Sequence, residues 1–320
     1  MIRILRAGRP KFDTVDVCAK GWKLTSTCVW IDLFEPTREE ELAVEAALDV
    51  FLPTKEEMAE IEASSRLYQE DGATFMTATL LHKSADAIPD SDPITFALVG
   101  DRLVTIRYFE PKSFSIFEGQ LERQPELSSS GVQTFVNLLE AVVDRTADNL
   151  EFTSAEVETI SREIFAAERP RNFEPILNRL GRNQTANNKV RDSLVSLSRL
   201  IGFAGFADQV EADAEAMGHL ESMQRDIQSL TDHSSYLSGN ITFLLDAALG
   251  LINIEQNGII KIFSIVTVAI MPPTLVGAIY GMNFKHMPEL DWSVGYPLAI
   301  ALMLVSAIVP LVWFKAKGWF

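Results

Sequence analysis

The residues best suited to chemistry lie on one stripe near the C-terminus. Stepped in alternating fours and threes, the stripe reads Asp246, Gly250, Asn253, Asn257, Ile260, Ser264, Thr267, Met271, Thr274, Ala278 and Gly281. A seven-residue period keeps one helix face turned toward a partner helix or a common axis. Amides, hydroxyls and small residues dominate this face, whereas Ile262, Val266, Ile270 and Ile279 lie off it. Two readings fit. One is tight helix packing through small residues, as membrane bundles use; the other is a conduit wall built by identical helices around an axis. The two are compatible in a symmetric oligomer. Covalent chemistry finds no support: the chain shows no Ser/His/Asp, Cys/His or metal-ligand constellation and no glycine-rich phosphate loop. His286 stands alone, so no zinc site can be built from it.

The elements that must carry the stripe are apolar. From Ile259 to Tyr280 the only charge is Lys261, and about 22 residues of helix span ~33 Å, enough for a ~30 Å hydrocarbon core. A short loop follows, and a second apolar run, Pro297 to Phe314, returns to Lys315 and Lys317. Trp292, Trp313 and Trp319 read as interfacial anchors. Pro272 and Pro273 remove two backbone donors inside the first span, a kink that neighbouring groups can accommodate. The start, Met1 to Pro10, has no sustained apolar core, so no secretory signal is expected. The N-terminal body is therefore expected in the cytoplasm, and two spans return the C-terminus there, in keeping with the basic tail. Cys18 and Cys28 lack metal-type spacing and read as reduced structural thiols.

With 320 residues, 47% hydrophobic, the chain has room for a sizeable soluble body besides the spans. Its net charge of −16 argues against nucleic acid and against broad binding to anionic lipid. The first third alternates strand and helix signals. Thr27–Asp32 reads as a buried strand, Thr37 as the N-cap of an acidic helix, and 53–60 as a second short helix. Strands are expected at 65–70, 73–82, 94–99 and 102–108, with Gly100-Asp101 as a tight hairpin turn. These make a mixed or largely antiparallel sheet. From Ser128 the pattern turns helical: 131–149, then 154–167 after a cap at Thr153 or Ser154, a break at 169–172, and 173–203. Gly202 to Gly205 turns the chain. A final helix starts near Asp208 or Asp213 and runs unbroken into the membrane, for more than about 60 residues, or roughly 90 Å at the helical rise. The expected fold class is thus an α+β cytoplasmic domain (1–127), then a helical region with a long stalk helix (128–257). A first transmembrane helix (258–280), an external loop (281–296), a second transmembrane helix (297–314) and a basic tail (315–320) complete it.

Tyr280-Gly281-Met282-Asn283, then Met287-Pro288-Glu289-Leu290, Trp292 and Gly295-Tyr296-Pro297, resembles the CorA magnesium/cobalt transporters, the two-span Gly-x-Asn class of metal ion transporter. Phe243-Leu-Leu-Asp246, Ile252-Asn-Ile-Glu-Gln-Asn257 and Ile259-Ile-Lys-Ile-Phe263 are similar to the enterobacterial-type branch. The close match covers about the last 90 residues; the soluble part matches mainly around Ser64-Ser65-Arg66-Leu67-Tyr68. The resemblance implies a homopentameric funnel in a bacterial inner membrane that moves hydrated Mg2+, and Co2+ or Ni2+, without enzymatic chemistry or a cofactor. Gly281, Met282 and Asn283 match the selectivity entrance. Gly281 would allow close backbone approach or a positive φ, or simply end the helix. Mg2+ prefers octahedral oxygen ligands and gives up water reluctantly, so a ring of amide and carbonyl oxygens can hold the hydrated ion without trapping it.

Below that entrance, Ala278, Thr274, Met271, Thr267, Ser264 and Ile260 would line the conduit, with Asn257 as a second polar ring. Met271 and Ile260 could close it by dewetting. Asp246 would form a cytoplasmic cation ring, while Glu289 and Asp291 gather cations outside. Five copies would carry five times −16, a field that salt screens over about 8–10 Å. The family is inhibited by Mg2+ bound between cytoplasmic domains; Glu57, Glu60, Asp226 and Asp232 are the acids considered for that role. The nearest alternative is a zinc transporter of the same superfamily, with proton coupling. The Phe284-Lys-His-Met-Pro-Glu-Leu continuation favours the magnesium branch over it. A membrane-anchored enzyme or receptor has no use for the polar stripe.

Overall fold

The computed structural model describes residues 1–19, 22–60, 62–82, 89–167, 172–283, 285 and 287–318. It divides into an N-terminal unit, Met1–Leu245, and a C-terminal unit, Asp246–Phe320. In chain order the elements are β1 (Ile2–Arg6), β2 (Asp13–Val15), β3 (Cys28–Phe34), α1 (Arg38–Leu48), α2 (Lys55–Met58), α3 (Ala63–Arg66), β4 (Leu67–Glu70), β5 (Ala73–His82), β6 (Asp90–Val99), β7 (Arg102–Arg107) and α4 (Lys112–Leu121). After them come α5 (Gly131–Ile164), α6 (Glu174–Ala204), α7 (Asp208–Glu211), α8 (Ala214–Tyr280) and α9 (Gly295–Ala316).

One seven-stranded sheet, ordered β2-β1-β3-β7-β6-β5-β4, organises the N-terminal unit. Every pairing is antiparallel except β3 with β7. The central strands are apolar on both faces because both are covered. One face packs Ile4, Ile31, Leu33, Val104 and Ile106 against Val44, Leu52 and Met58. On the other, Trp30 lies 5.9 Å from both Phe114 and Phe117 of α4, and Phe96 lies 6.1 Å from Phe135 of α5. Gly131 opens α5 where a side chain has no room: a Cβ would sit 2.5 Å from the Asp101 carbonyl oxygen and 2.6 Å from the Arg102 backbone.

Several expectations need correction. β1, β2 and α4 were not anticipated. Helix 131–149 does not end near Thr153: α5 runs unbroken through Leu150, Val157, Ile160 and Ile164, all buried. Thr153 is buried within it and donates its hydroxyl to the Asn149 carbonyl (2.9 Å) instead of capping a new helix. The strand expected from Ser65 starts at Leu67, because 63–66 form a helical turn. The strand expected from Ile94 starts at Asp90; its first five residues pair only with β5, so Pro93 costs no ladder bond on the β7 side. Thr37 caps α1, as expected, and the cap proves to be a full capping box with Glu40. The break at 169–172 lies outside the described residues but for Asn172, whose side chain accepts from Glu174 N (2.9 Å).

Helix α8 is one element of 67 residues. Asp213 starts it, accepting from the backbone N–H groups of Glu215 and Ala216 (3.1 Å each). Within the N-terminal unit it is tied to α6 by a reciprocal buried pair: Asn187 donates to the Ser234 carbonyl (2.9 Å) and the Ser234 hydroxyl donates back to Asn187 Oδ1 (3.0 Å). Helices α5 and α6 are clasped by Arg179, which reaches Glu156 (2.8 Å) and Glu163 (2.7 Å).

Candidate conduction site

The C-terminal unit holds the stripe on the last part of α8. Among the described residues, that part and α9 are the two helices long and apolar enough to cross a membrane, and their most apolar 18-residue windows are only 6% and 11% buried. Such surface in water would be a large unfavourable exposure; lipid or further helices must cover it. Every stripe residue from Asp246 to Gly281 is exposed, including Ile260 at 61% and Met271 at 65%. The opposite face is the covered one: Ile265 is buried, and Lys261, Ala269, Pro272, Pro273, Val276 and Tyr280 are half-buried. On α9 the covered residues are Gly295, Ala299, Met303, Ser306, Ala307, Pro310 and Phe314, again near a seven-residue period. Gly277 brings the two helices together, since a Cβ there would meet Met303 Cε at 3.4 Å. At 100° per residue the stripe thus points about 180° away from α9.

The hydroxyls on the stripe are already committed in one direction. Ser264, Thr267 and Thr274 each donate to the carbonyl four residues back, Ile260, Phe263 and Ile270, at 2.8 Å. Their protons stay within the helix, so their oxygen lone pairs are what the stripe presents outward. Pro272 and Pro273 leave the Val268 and Ala269 carbonyls without a helical N–H donor. The helix ends at Tyr280; Gly281 N–H still bonds the Gly277 carbonyl (3.0 Å) and Met282 N–H the Ile279 carbonyl (3.2 Å). Gly281 has no positive φ, which overturns that part of its expected role. Met282 and Asn283 follow, both exposed.

Beyond Asn283, Glu289 and Asp291 lie in a 3₁₀ turn, Pro288–Asp291. Gly295, the first residue of α9, makes that turn feasible. Its N–H donates to the Trp292 carbonyl (3.0 Å), and an added Cβ would overlap the Glu289 carbonyl oxygen. Sequence reasoning used Gly295 only as part of a motif; a glycine at a helix start after a tight loop was the available signal. Trp292 and Trp313 are exposed, 53% and 56%, while His286 and Trp319 lie outside the described residues.

The four acids considered for regulation are not brought together. Glu57 spends its carboxylate on the cap of α2, accepting from Thr54 N–H (2.7 Å) and hydroxyl (2.9 Å), which holds its pKa below the ordinary value. Glu60 is exposed and gives its carbonyl to Arg66. Asp232 accepts from Gln228 (3.2 Å). Asp226 is exposed on α8 near Asp144, whose carboxyl is pushed up first by burial and then by Asp148 and Asp226. Among the described residues of one chain, no three His, Cys, Asp or Glu are grouped to hold a metal ion.

Residues 25–316 match the family described as CorA-like Mg2+ transporter protein. The magnesium transport protein CorA of Haemophilus influenzae is 34% identical over 294 residues, 92% of this chain and 93% of the relative. That of Escherichia coli K12 is 34% identical over 291 residues, 91% and 92%. Among solved structures, the complete CorA magnesium transporter from Methanocaldococcus jannaschii superposes with a TM-score of 0.78 at 18% identity. The match covers 100% of this chain and 99% of that one, so the likeness extends over both units.

Proposed function

We propose, from the premise that the chain belongs to the family of CorA-like Mg2+ transporter proteins, that it conducts hydrated Mg2+ across a bacterial inner membrane through a conduit lined by α8 of identical subunits. The observation that carries this reading is the unbroken exposed stripe on the side of α8 away from α9. An assembly of five copies closes these faces around an axis, with both termini in the cytoplasm. Asn283, with Gly281 and Met282, forms the outer entrance. Thr274, Thr267 and Ser264 offer oxygen lone pairs to the ion's water, Met271 and Ile260 are the apolar constrictions, and Asn257 and Asp246 form the inner polar rings. Glu289 and Asp291 raise the local cation concentration outside. Co2+ and Ni2+, with the same charge and similar hydration, follow the same path. Mg2+ bound between N-terminal units of neighbouring copies holds the conduit closed.

No ATP is needed. At roughly 2.3 kcal/mol per charge per 100 mV, an inward divalent ion gains ~4.6 kcal/mol at that potential. The test is Mg2+ flux into dye-loaded proteoliposomes at fixed potential, for the native chain and Asn283→Ala. Uptake lost in the variant, with assembly intact by size-exclusion chromatography, supports the entrance assignment; undiminished flux refutes it. Proton-coupled Zn2+ uptake without Mg2+ uptake would move the protein to the zinc branch.

A further inference from the structure

Helices α6 and the first part of α8 meet antiparallel along a polar seam. Gln224 Nε2 donates to the Ser198 hydroxyl (2.8 Å), Asn187 and Ser234 exchange two bonds (2.9 and 3.0 Å), and Gln184 Nε2 donates to the Ser238 hydroxyl (2.8 Å). The seam is only partly satisfied. Gln184 Oε1 and Gln224 Oε1 are both buried with no hydrogen-bond partner among the described residues, a state that few buried polar groups occupy. The seam also repeats. One turn further along α8, Gln224 is followed by Gln228, Ser234 by Ser238, and Ser238 by Thr242. The buried face of α8 does the same, with Met223 followed by Ile227, Leu237 by Ile241 and Leu244 by Ala248. A second register therefore exists on the same residues, in which Ser198 meets Gln228, Asn187 meets Ser238 and Gln184 meets Thr242.

Reaching it moves α8 toward its own N-terminus by four residues, about 6 Å, with about 40° of rotation. Gln224 then stands level with Gly202. A cavity of about 290 Å³ lies there, lined by Ile201, Gly202, Gly205, Met217, Leu220 and Gln224. The connection between the helices can follow, since uncoiling the four residues of α7 gains about 7 Å. Two features favour the observed register. The shift exchanges the buried Leu220 and Ile227 for Gln224 and Thr231, and it breaks the bond from Gln133 Nε2 to Asp213 at the start of α8 (2.8 Å). We propose that α8 has two registers on α6, one turn apart, with the observed one latched by Gln133 and Asp213. Packed helices switch between discrete arrangements instead of deforming continuously, and a one-turn ratchet is one such switch. Because α8 runs unbroken to Tyr280, the shift carries Ile260 and Met271 about 6 Å along the axis. That consequence rests on the conduit reading above; the two registers do not.

The experiment is double electron–electron resonance on the full-length protein in detergent. Nitroxides are placed by Thr185→Cys and Glu221→Cys, both exposed, in a chain lacking Cys18 and Cys28. Dilution with unlabelled chain makes distances within one copy dominate. The observed register separates the two sites by about 24 Å along the helix axes, the shifted one by about 30 Å. A second population about 6 Å longer is expected. Gln133→Ala, which removes the latch, should raise it about threefold or more. Gly202→Leu should remove it while keeping the shorter distance, because a Cβ at Gly202 meets nothing within 4 Å and the larger side chain fills the cavity. The same variant should lower Mg2+ uptake severalfold. A single distance in both the native chain and Gln133→Ala overturns the proposal, as does a longer population that Gly202→Leu leaves unchanged. Two registers with uptake unmoved by Gly202→Leu overturn the link to the conduit alone. The conduit itself is judged separately, by Asn283→Ala.

Discussion

Asp32→Asn tests what holds the centre of the sheet. Asp32 is 0% exposed and accepts from Arg107 Nε and Nη2 (3.0 Å each), the Thr105 hydroxyl (2.7 Å), and Arg3 Nε (2.9 Å) and Nη2 (2.6 Å). The amide keeps the shape but removes the charge and turns one acceptor into a donor facing N–H groups. Arg3 retains Glu118 at 2.9 Å; Arg107, 1% exposed, loses its only ion-pair partner among the described residues. Leaving one buried charge uncompensated costs about 3–5 kcal/mol. At about 2–4 °C per kcal/mol for a unit of this size, the melting transition should fall by roughly 6–20 °C. The assay is differential scanning calorimetry of the full chain in detergent, following the transition of the N-terminal unit. A loss below about 1 kcal/mol would refute the reasoning. Asp32→Asn/Arg107→Met should recover part of it, since the stranded charge is then gone.

The pH dependence gives a second, sharper check. Burial alone would raise the Asp32 pKa, but Arg107, Arg3 and the Thr105 hydroxyl outweigh it, and the net shift is downward. A depressed carboxylate contributes stability that is present above its unfolded value of about 3.9 and lost as pH falls through the folded one. The gap between native chain and variant should therefore stay constant from pH 8 to 5 and shrink only below about 4. A gap already closing between pH 7 and 5 would mean the folded pKa is raised, contrary to this account.

Gly295→Ala puts a methyl against the Glu289 carbonyl; the turn before α9 must shift, and Mg2+ uptake by assembled protein should drop severalfold, whereas unchanged uptake would mean that the turn does not matter. Cys18 is exposed and Cys28 is buried, its thiol pushed to about 11 chiefly by burial. A thiol reagent at neutral pH should label one cysteine per native chain and the second only on unfolding. Thr274→Cys in a background lacking both cysteines should form disulfide-linked dimers on mild oxidation, because the stripe faces its counterparts in the proposed assembly; Ile262→Cys, off the stripe, should not.

The parts of the molecule legible in the sequence are those governed by local periodicity. The N-cap at Thr37, the strand Ala73–His82 and the long α8 follow from neighbouring residues alone. The misses have non-local causes. Ile2–Arg6 is too short to declare itself a strand, and becomes one only because β3 and β2 lie on either side. Thr153 resembles a cap, yet it sits mid-helix because Leu150 and Val157 continue the buried face. At the site, the motif located Asn283 but not the role of Gly295, which depends on a carbonyl six residues earlier in the chain. The acids considered for regulation could not be resolved from one chain's sequence, since exposed carboxylates gain a shared role only from what faces them. Glu57 shows the difficulty: in sequence it is a free acid, in the fold it is a helix cap.

The geometry of the stripe also constrains how selection can work. Between Asp246 and Gly281 it carries no charge, and its hydroxyl protons are engaged by backbone carbonyls. A stripped Mg2+ ion needs about six oxygen ligands at close to 2.1 Å, which the few hydroxyls of Ser264, Thr267 and Thr274, broken by Met271 and flanked by Ile260, are poorly placed to supply. A hydrated ion, by contrast, offers water hydrogens to outward lone pairs and passes apolar rungs with its shell intact. If the proposed conduit is right, its lining suits transit better than binding, and discrimination would fall on the ends, where the amides of Asn283 and Asn257 and the Asp246 carboxylate are concentrated. On this argument, exchanging Thr267 for Val should change conductance while leaving the order of ion preference intact, whereas exchanging Asn283 should alter the order itself.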